Sequence, residues 1–158
     1  MTIQEYVAEQ TVRVAQALAH FLETTQEEKR EWQPSFGSDA TTTRSALQQV
    51  GECVVVNGYM AKLIRGEELT PVGSYEMGFA SVEEAKTLLL ESANALAEAI
   101  RTLPDANLEG VYQHPRGQIL GKNVIIMPLR NMAYHAGQIN FIQTLYGDTE
   151  FHVPPTWR

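Results

Sequence analysis

Asn131 and His135 lie four residues apart in a stretch, Asn123 to Gly147, whose apolar residues recur at helical spacing. Residues i and i+4 of a helix sit one turn above each other on the same face. An imidazole binds metals and moves protons near neutral pH, and a carboxamide both donates and accepts hydrogen bonds. Stacked at the edge of an apolar stripe, this pair is the first candidate for a site. Other patterns with chemical meaning are weak. Cys53 falls in an apolar helical segment, where a thiol is ordinarily a small core residue rather than a nucleophile. Gly117-Gln-Ile-Leu-Gly121-Lys122-Asn123 is too short between its glycines for a phosphate loop and lacks the Ser or Thr that holds magnesium, so it reads as a turn. Cys-x-x-Cys, His-Glu-x-x-His and Gly-x-Ser-x-Gly do not occur. His20, near the end of an amphipathic helix, and His114 and His152, in loops beside prolines, read as surface or packing histidines.

Four elements must position that pair. Thr2-Ile-Gln-Glu5 is a capping box that opens a long first helix, expected over Thr2 to about Glu31 with Ile3, Tyr6, Val7, Val14, Leu18, Phe21 and Leu22 inside. Pro34, Gly37 and Ser38-Asp39 break the pattern over Trp32 to Thr43. A second helix is expected from Thr42 to Arg65, with Leu47, Val50, Val54, Ala61 and Ile64 inward and Gly66 ending it. Its β-branched centre must rely on packing rather than propensity. Glu67 to Ala80, with Pro71, Gly73 and Gly78, reads as a crossover or lid. Ser81-Val-Glu-Glu84 is a second capping box and starts a third helix that Pro104 stops after Leu103. Asp105 to Lys122 is irregular or a short hairpin. The fourth helix begins at Pro128, or at Asn123 as N-cap with a kink at Pro128, and stops at Gly147. Asp148 to Arg158, with Pro154-Pro155, is a non-helical tail. Four amphipathic helices without strand alternation make an all-α four-helix bundle.

Composition bounds the rest. A chain of 158 residues, 44% hydrophobic and 20% charged, is the size and make-up of a single globular domain spanning residues 1–158. The net charge of −7 and the absence of a Lys/Arg cluster exclude nucleic acid as an expected partner. The single Cys53 cannot form an intrachain disulfide and fits a reducing cytosol. Met-Thr-Ile-Gln-Glu does not open a signal peptide, and no apolar run approaches the about 20 residues that cross a bilayer. A cytoplasmic protein without a membrane partner is expected.

The sequence also resembles a known family. A bundle of this length whose last helix carries His135-Ala-Gly-Gln-Ile139, then Leu145-Tyr-Gly147 and a Val153-Pro-Pro155 tail, looks like the DinB/YfiT-like superfamily, and Leu47-Gln-Gln-Val-Gly-Glu-Cys53 resembles its second-helix segment. The resemblance implies an up-down-down-up bundle with a long crossover, homodimerisation, and a divalent metal (Zn, Ni or Fe) held by three histidines. Characterised relatives include transferases and isomerases that use low-molecular-weight thiols. Carried over, the three ligand positions fall on Gln49, Asn131 and His135, and only His135 keeps its type. Carboxamides are poor ligands for such metals, so the site is expected to be degenerate and no cofactor is expected. Glu52 and Cys53 could substitute as ligands, and His114 or His152 could reach in. Three readings of the trio stay open: a metal site, a closed hydrogen-bonded network, or a pocket for a small ligand with Arg130 or Tyr134 at its rim. The function classes are accordingly a small-molecule-binding protein, or a metal-dependent, possibly thiol-dependent, transferase or hydrolase. Homodimerisation is also expected from outward apolar residues such as Val55, Val56 and Phe141.

Overall fold

The computed structural model describes residues 1–35, 43–69, 77–115 and 117–158. Of the expected breakers and starts, Gly37, Ser38, Asp39, Thr42, Pro71 and Gly73 lie outside the described residues. The long helices are α1 (Ile3–Thr24), α2 (Ala46–Arg65), α3 (Val82–Arg101) and α5 (Met127–Leu145), with a single-turn α4 (Gly121–Val124) before the last. Strands β1 (Val111–His114) and β2 (Gly117–Leu120) form the short antiparallel hairpin, pairing Val111 with Leu120 and His114 with Gly117.

Side-chain contacts set the helix directions. Gln4, at the start of α1, reaches Leu103 and Asp105 just beyond the end of α3, so those two helices are antiparallel. Gln143, near the end of α5, donates to the Phe21 carbonyl and the Thr24 and Thr25 hydroxyls at the end of α1, so α1 and α5 run parallel. Asn57 and Arg65 of α2 meet Ser92 and Ala95 of α3 in the same order, and these two are parallel. Gln49 and Cys53 of α2 face His135 and Asn131 of α5 in reverse order. The bundle is up-down-down-up, with α2 and α5 as antiparallel neighbours. Its core has two clusters, one around Leu18, Leu22, Val50, Leu89, Met132 and Ile139, the other around Val7, Met60, Ile64, Leu96, Ile100 and Ile125.

Several local expectations need correction. The first helix ends at Thr24, well before Glu31, because the Thr24 and Thr25 hydroxyls take its last carbonyls. A 3-10 turn, Glu27–Lys29, follows. Ile3 and Tyr6 are exposed, since the inner face of α1 runs through Gln4, Val7, Ala8, Thr11 and Ala15, rotated from the expected stripe. Ser45, with Gln48, is the capping box of α2. At α3 Ser81 caps Glu84, but the Glu84 carboxylate turns to the Ala80 amide, so the box is only half made. Asn123 caps nothing; it sits within α4, and Pro128 occupies the second position of α5, where its missing N–H leaves no bond unmade. Gly147, at φ 98°, completes a Schellman end, its amide bonding Thr144 and the Asp148 amide bonding Gln143. The tail contains one 3-10 turn, Pro155–Trp157, and lays Phe151 and Trp157 against Phe21.

Candidate functional site between α2 and α5

The antiparallel register of α2 and α5 brings Gln49 and His135 into contact. His135 Nδ1 lies 3.0 Å from Gln49 Oε1. The Gln49 amide nitrogen donates to the Arg44 carbonyl at 3.3 Å, just before the Ser45 cap. With that nitrogen engaged, the amide oxygen must face the ring, so Nδ1 carries the proton and donates. Burial drives the His135 pKa down to about 4, with the Gln138 side chain pulling the other way and the Arg44 charge adding to the fall. Burial thus favours the neutral ring, with its lone pair on Nε2, against the pull of the Glu52 carboxylate 3.4 Å away.

That lone pair has no hydrogen-bond partner among the described residues. Nε2 lies 3.4 Å from Glu52 Oε1, while the Arg44 guanidinium pairs with the other carboxylate oxygen of Glu52. Asn131 bonds neither Gln49 nor His135; its amide donates to Cys53 Sγ at 3.7 Å. Burial raises the Cys53 thiol far above its ordinary pKa, so it is an inert core residue, as expected.

Gln49, Asn131 and His135 all line one cavity of about 460 Å³, with Glu52 and Gln138 beside them and Phe141, Ile142 and Leu145 as its apolar wall. A second cavity of about 470 Å³ adjoins it, sharing Arg44, Glu52, Asn131 and Tyr134, and carries Arg130 and His114. Arg130 and Tyr134 thus flank the site. His114 lines only the second cavity, its ring edge-on to Tyr59, and His152 is engaged 2.8 Å from Asp148 outside both. Arg44 and Gln138 are additions to the expected set. Gln138 carries a sequence signal, one turn beyond His135. Arg44 carries none, because it precedes the helix and comes in through its own loop conformation. Glu52, three residues after Gln49, shares its helical face and does point inward.

These donors do not fit a three-imidazole metal centre. Gln49 Oε1 already accepts from His135, Asn131 presents a neutral amide, and no group of three His, Cys, Asp or Glu side chains among the described residues could hold an ion. What the fold and cavity define is a helical bundle with a polar pocket between facing helices, the usual place for a bundle's site. The profile of the DinB superfamily matches residues 10–139, from within α1 to Ile139 of α5, and the chain belongs to that superfamily. No curated protein matches it.

Proposed function

We propose that the protein binds a small molecule in the cavity between α2 and α5, with a hydrogen-bonded network standing where relatives are expected to place a metal. The single observation behind this reading is the cavity that Gln49, Asn131 and His135 line together, with His135 Nε2 buried beside it and without a hydrogen-bond partner among the described residues. A buried acceptor without a partner costs about 1–3 kcal/mol, and a ligand that donates to it recovers that cost. The other reading, a metal-dependent and possibly thiol-dependent transferase or hydrolase, has against it that Gln49 orients the histidine rather than completing a coordination shell. The test is native mass spectrometry and metal analysis of protein purified without chelators, followed by fragment screening read on the His135 ring signals. An organic adduct, or fragments that move those signals, together with zinc, nickel and iron well below one per chain, is the expected result. Stoichiometric metal whose removal lowers the melting temperature would overturn the reading.

A homodimer is part of the same proposal. Tyr134 and Phe141 are 64% and 61% exposed on one side of α5, and Val55 and Val56 are half-buried on α2. Sedimentation showing only monomer at micromolar concentration would remove it. No helix among the described residues is long and apolar enough to cross a membrane; residence in the cytoplasm is proposed from the unpaired, buried Cys53.

A further inference from the structure

We infer that the second cavity takes the carboxylate end of a small acid with a hydrocarbon body, gripped by Arg130. The inference extends the small-molecule reading to the adjoining cavity and is carried by different residues, so either can fall alone. Among the described residues, the charged side chains lining this cavity are Arg44, Arg130 and Glu52: two cations against one anion, in a chain of net charge −7. Arg44 is already paired with Glu52, which leaves the charge of Arg130 in excess. Arg130 is exposed on α5, and its side chain makes no hydrogen bond or ion pair among the described residues. A guanidinium in that state offers parallel N–H groups that match the two oxygens of one carboxylate. One uncompensated positive charge suits a monoanion better than a phosphate monoester, which carries about −1.5 to −2 at neutral pH.

Position separates attraction from repulsion. Glu52 is level with His135, 3.4 Å from its ring, whereas Arg130 precedes His135 by five residues of α5, about 7.5 Å of helix axis. An acid seated on Arg130 therefore stands away from the carboxylate that would repel it, and Arg44 already offsets that carboxylate. The remaining wall is largely apolar. Met60 is buried, Val56 and Met127 are half-buried, and Tyr59 stands edge-on to His114 with ring centroids 5.9 Å apart. The two thioethers adapt to the shape of what they touch. A cavity of about 470 Å³ is in the size range of small-molecule sites. A bare inorganic anion would leave that apolar surface in water, and a hydrocarbon body covers it.

The experiment titrates the full-length protein with probes that share one phenylpropyl skeleton: 3-phenylpropanoate, 3-phenylpropan-1-ol, 3-phenylpropylamine and 3-phenylpropyl phosphate. The readouts are dissociation constants and the NMR signals of the Arg130 guanidinium, the Met127 methyl and the His135 ring. The acid is expected to move Arg130 and Met127 and to bind at least about tenfold tighter than the alcohol, the scale of one charge-assisted hydrogen-bonded contact. Arg130→Gln, at an exposed position, should lose that preference, and Arg130→Lys, which keeps the charge without the fork, should retain only part of it. An alcohol or amine that binds as tightly as the acid overturns the inference, and so does an acid preference that survives Arg130→Gln. A phosphate about tenfold tighter than the acid, or an acid that leaves Arg130 unmoved at about 10 mM, overturns it as well. Probes that move His135 but neither Arg130 nor Met127 overturn this inference and leave the reading of the first cavity standing; the converse result supports this inference alone. If Arg130→Gln changes the sedimentation coefficient and leaves acid binding unchanged, the guanidinium belongs to an interface between copies, and the inference falls.

Discussion

Acidification from about pH 7 to about pH 4.5 should destabilise the protein through His135, because the unfolded chain takes up a proton that the folded ring refuses. The folded pKa is about 4 against an ordinary 6.5, with burial as the main cause. The group's folded pKa is depressed, so its stabilising contribution is complete above 6.5 and is lost as pH falls from there towards 4. At about 1.4 kcal/mol per unit, the full span amounts to about 3 kcal/mol. The figure is an upper bound, because the Glu52 carboxylate 3.4 Å from Nε2 favours the charged ring. The charged groups facing the ring are Arg44 and Glu52; Gln49, Gln138 and Tyr134 are neutral neighbours. The assay is urea unfolding at several pH values for wild type and His135→Gln. The stability difference between the two should shrink as pH falls, and a Glu52→Gln background separates the titration of that carboxylate. A wild-type-minus-variant difference that stays constant across this range, or a His135 pKa near 6.5 by NMR, would refute the reasoning.

Gln49→Leu should leave the buried Nδ1–H without an acceptor, costing about 1–3 kcal/mol in urea unfolding, and the nitrogen shifts of His135 should no longer report a pure Nδ1–H tautomer; an unchanged tautomer would mean that Gln49 does not set it. The double variant Gln49→His, Asn131→His puts three imidazoles around the cavity, and zinc or nickel at a hundredfold excess over the dissociation constant should then raise its stability by about 2.7 kcal/mol, with little response in the wild type. A double variant indifferent to metal would show that these positions do not share a centre. Gly121→Ala should destabilise by more than about 2 kcal/mol in thermal or urea unfolding, because its new Cβ would stand 2.0 Å from the Asn107 carbonyl oxygen.

What the sequence determined by itself is local. Helical spacing placed α1, α2, α3 and α5, and Thr2, Ser81, Gly66 and Gly147 marked ends that the backbone respects, since capping and left-handed stops involve residues within a turn of each other. The same locality explains the errors: Ile3 and Tyr6 lie on the apolar spacing, but which face turns inward depends on what packs against it. The expected trio does share a cavity. Its chemistry was decided elsewhere, because the antiparallel register of α2 on α5 sets Gln49 against His135 and sends Asn131 to Cys53. Arg44 reaches Glu52 only through the conformation of the chain ahead of Ser45. Tautomer, burial and charge at Nε2 are properties of groups far apart in sequence, and only their packing in three dimensions creates them.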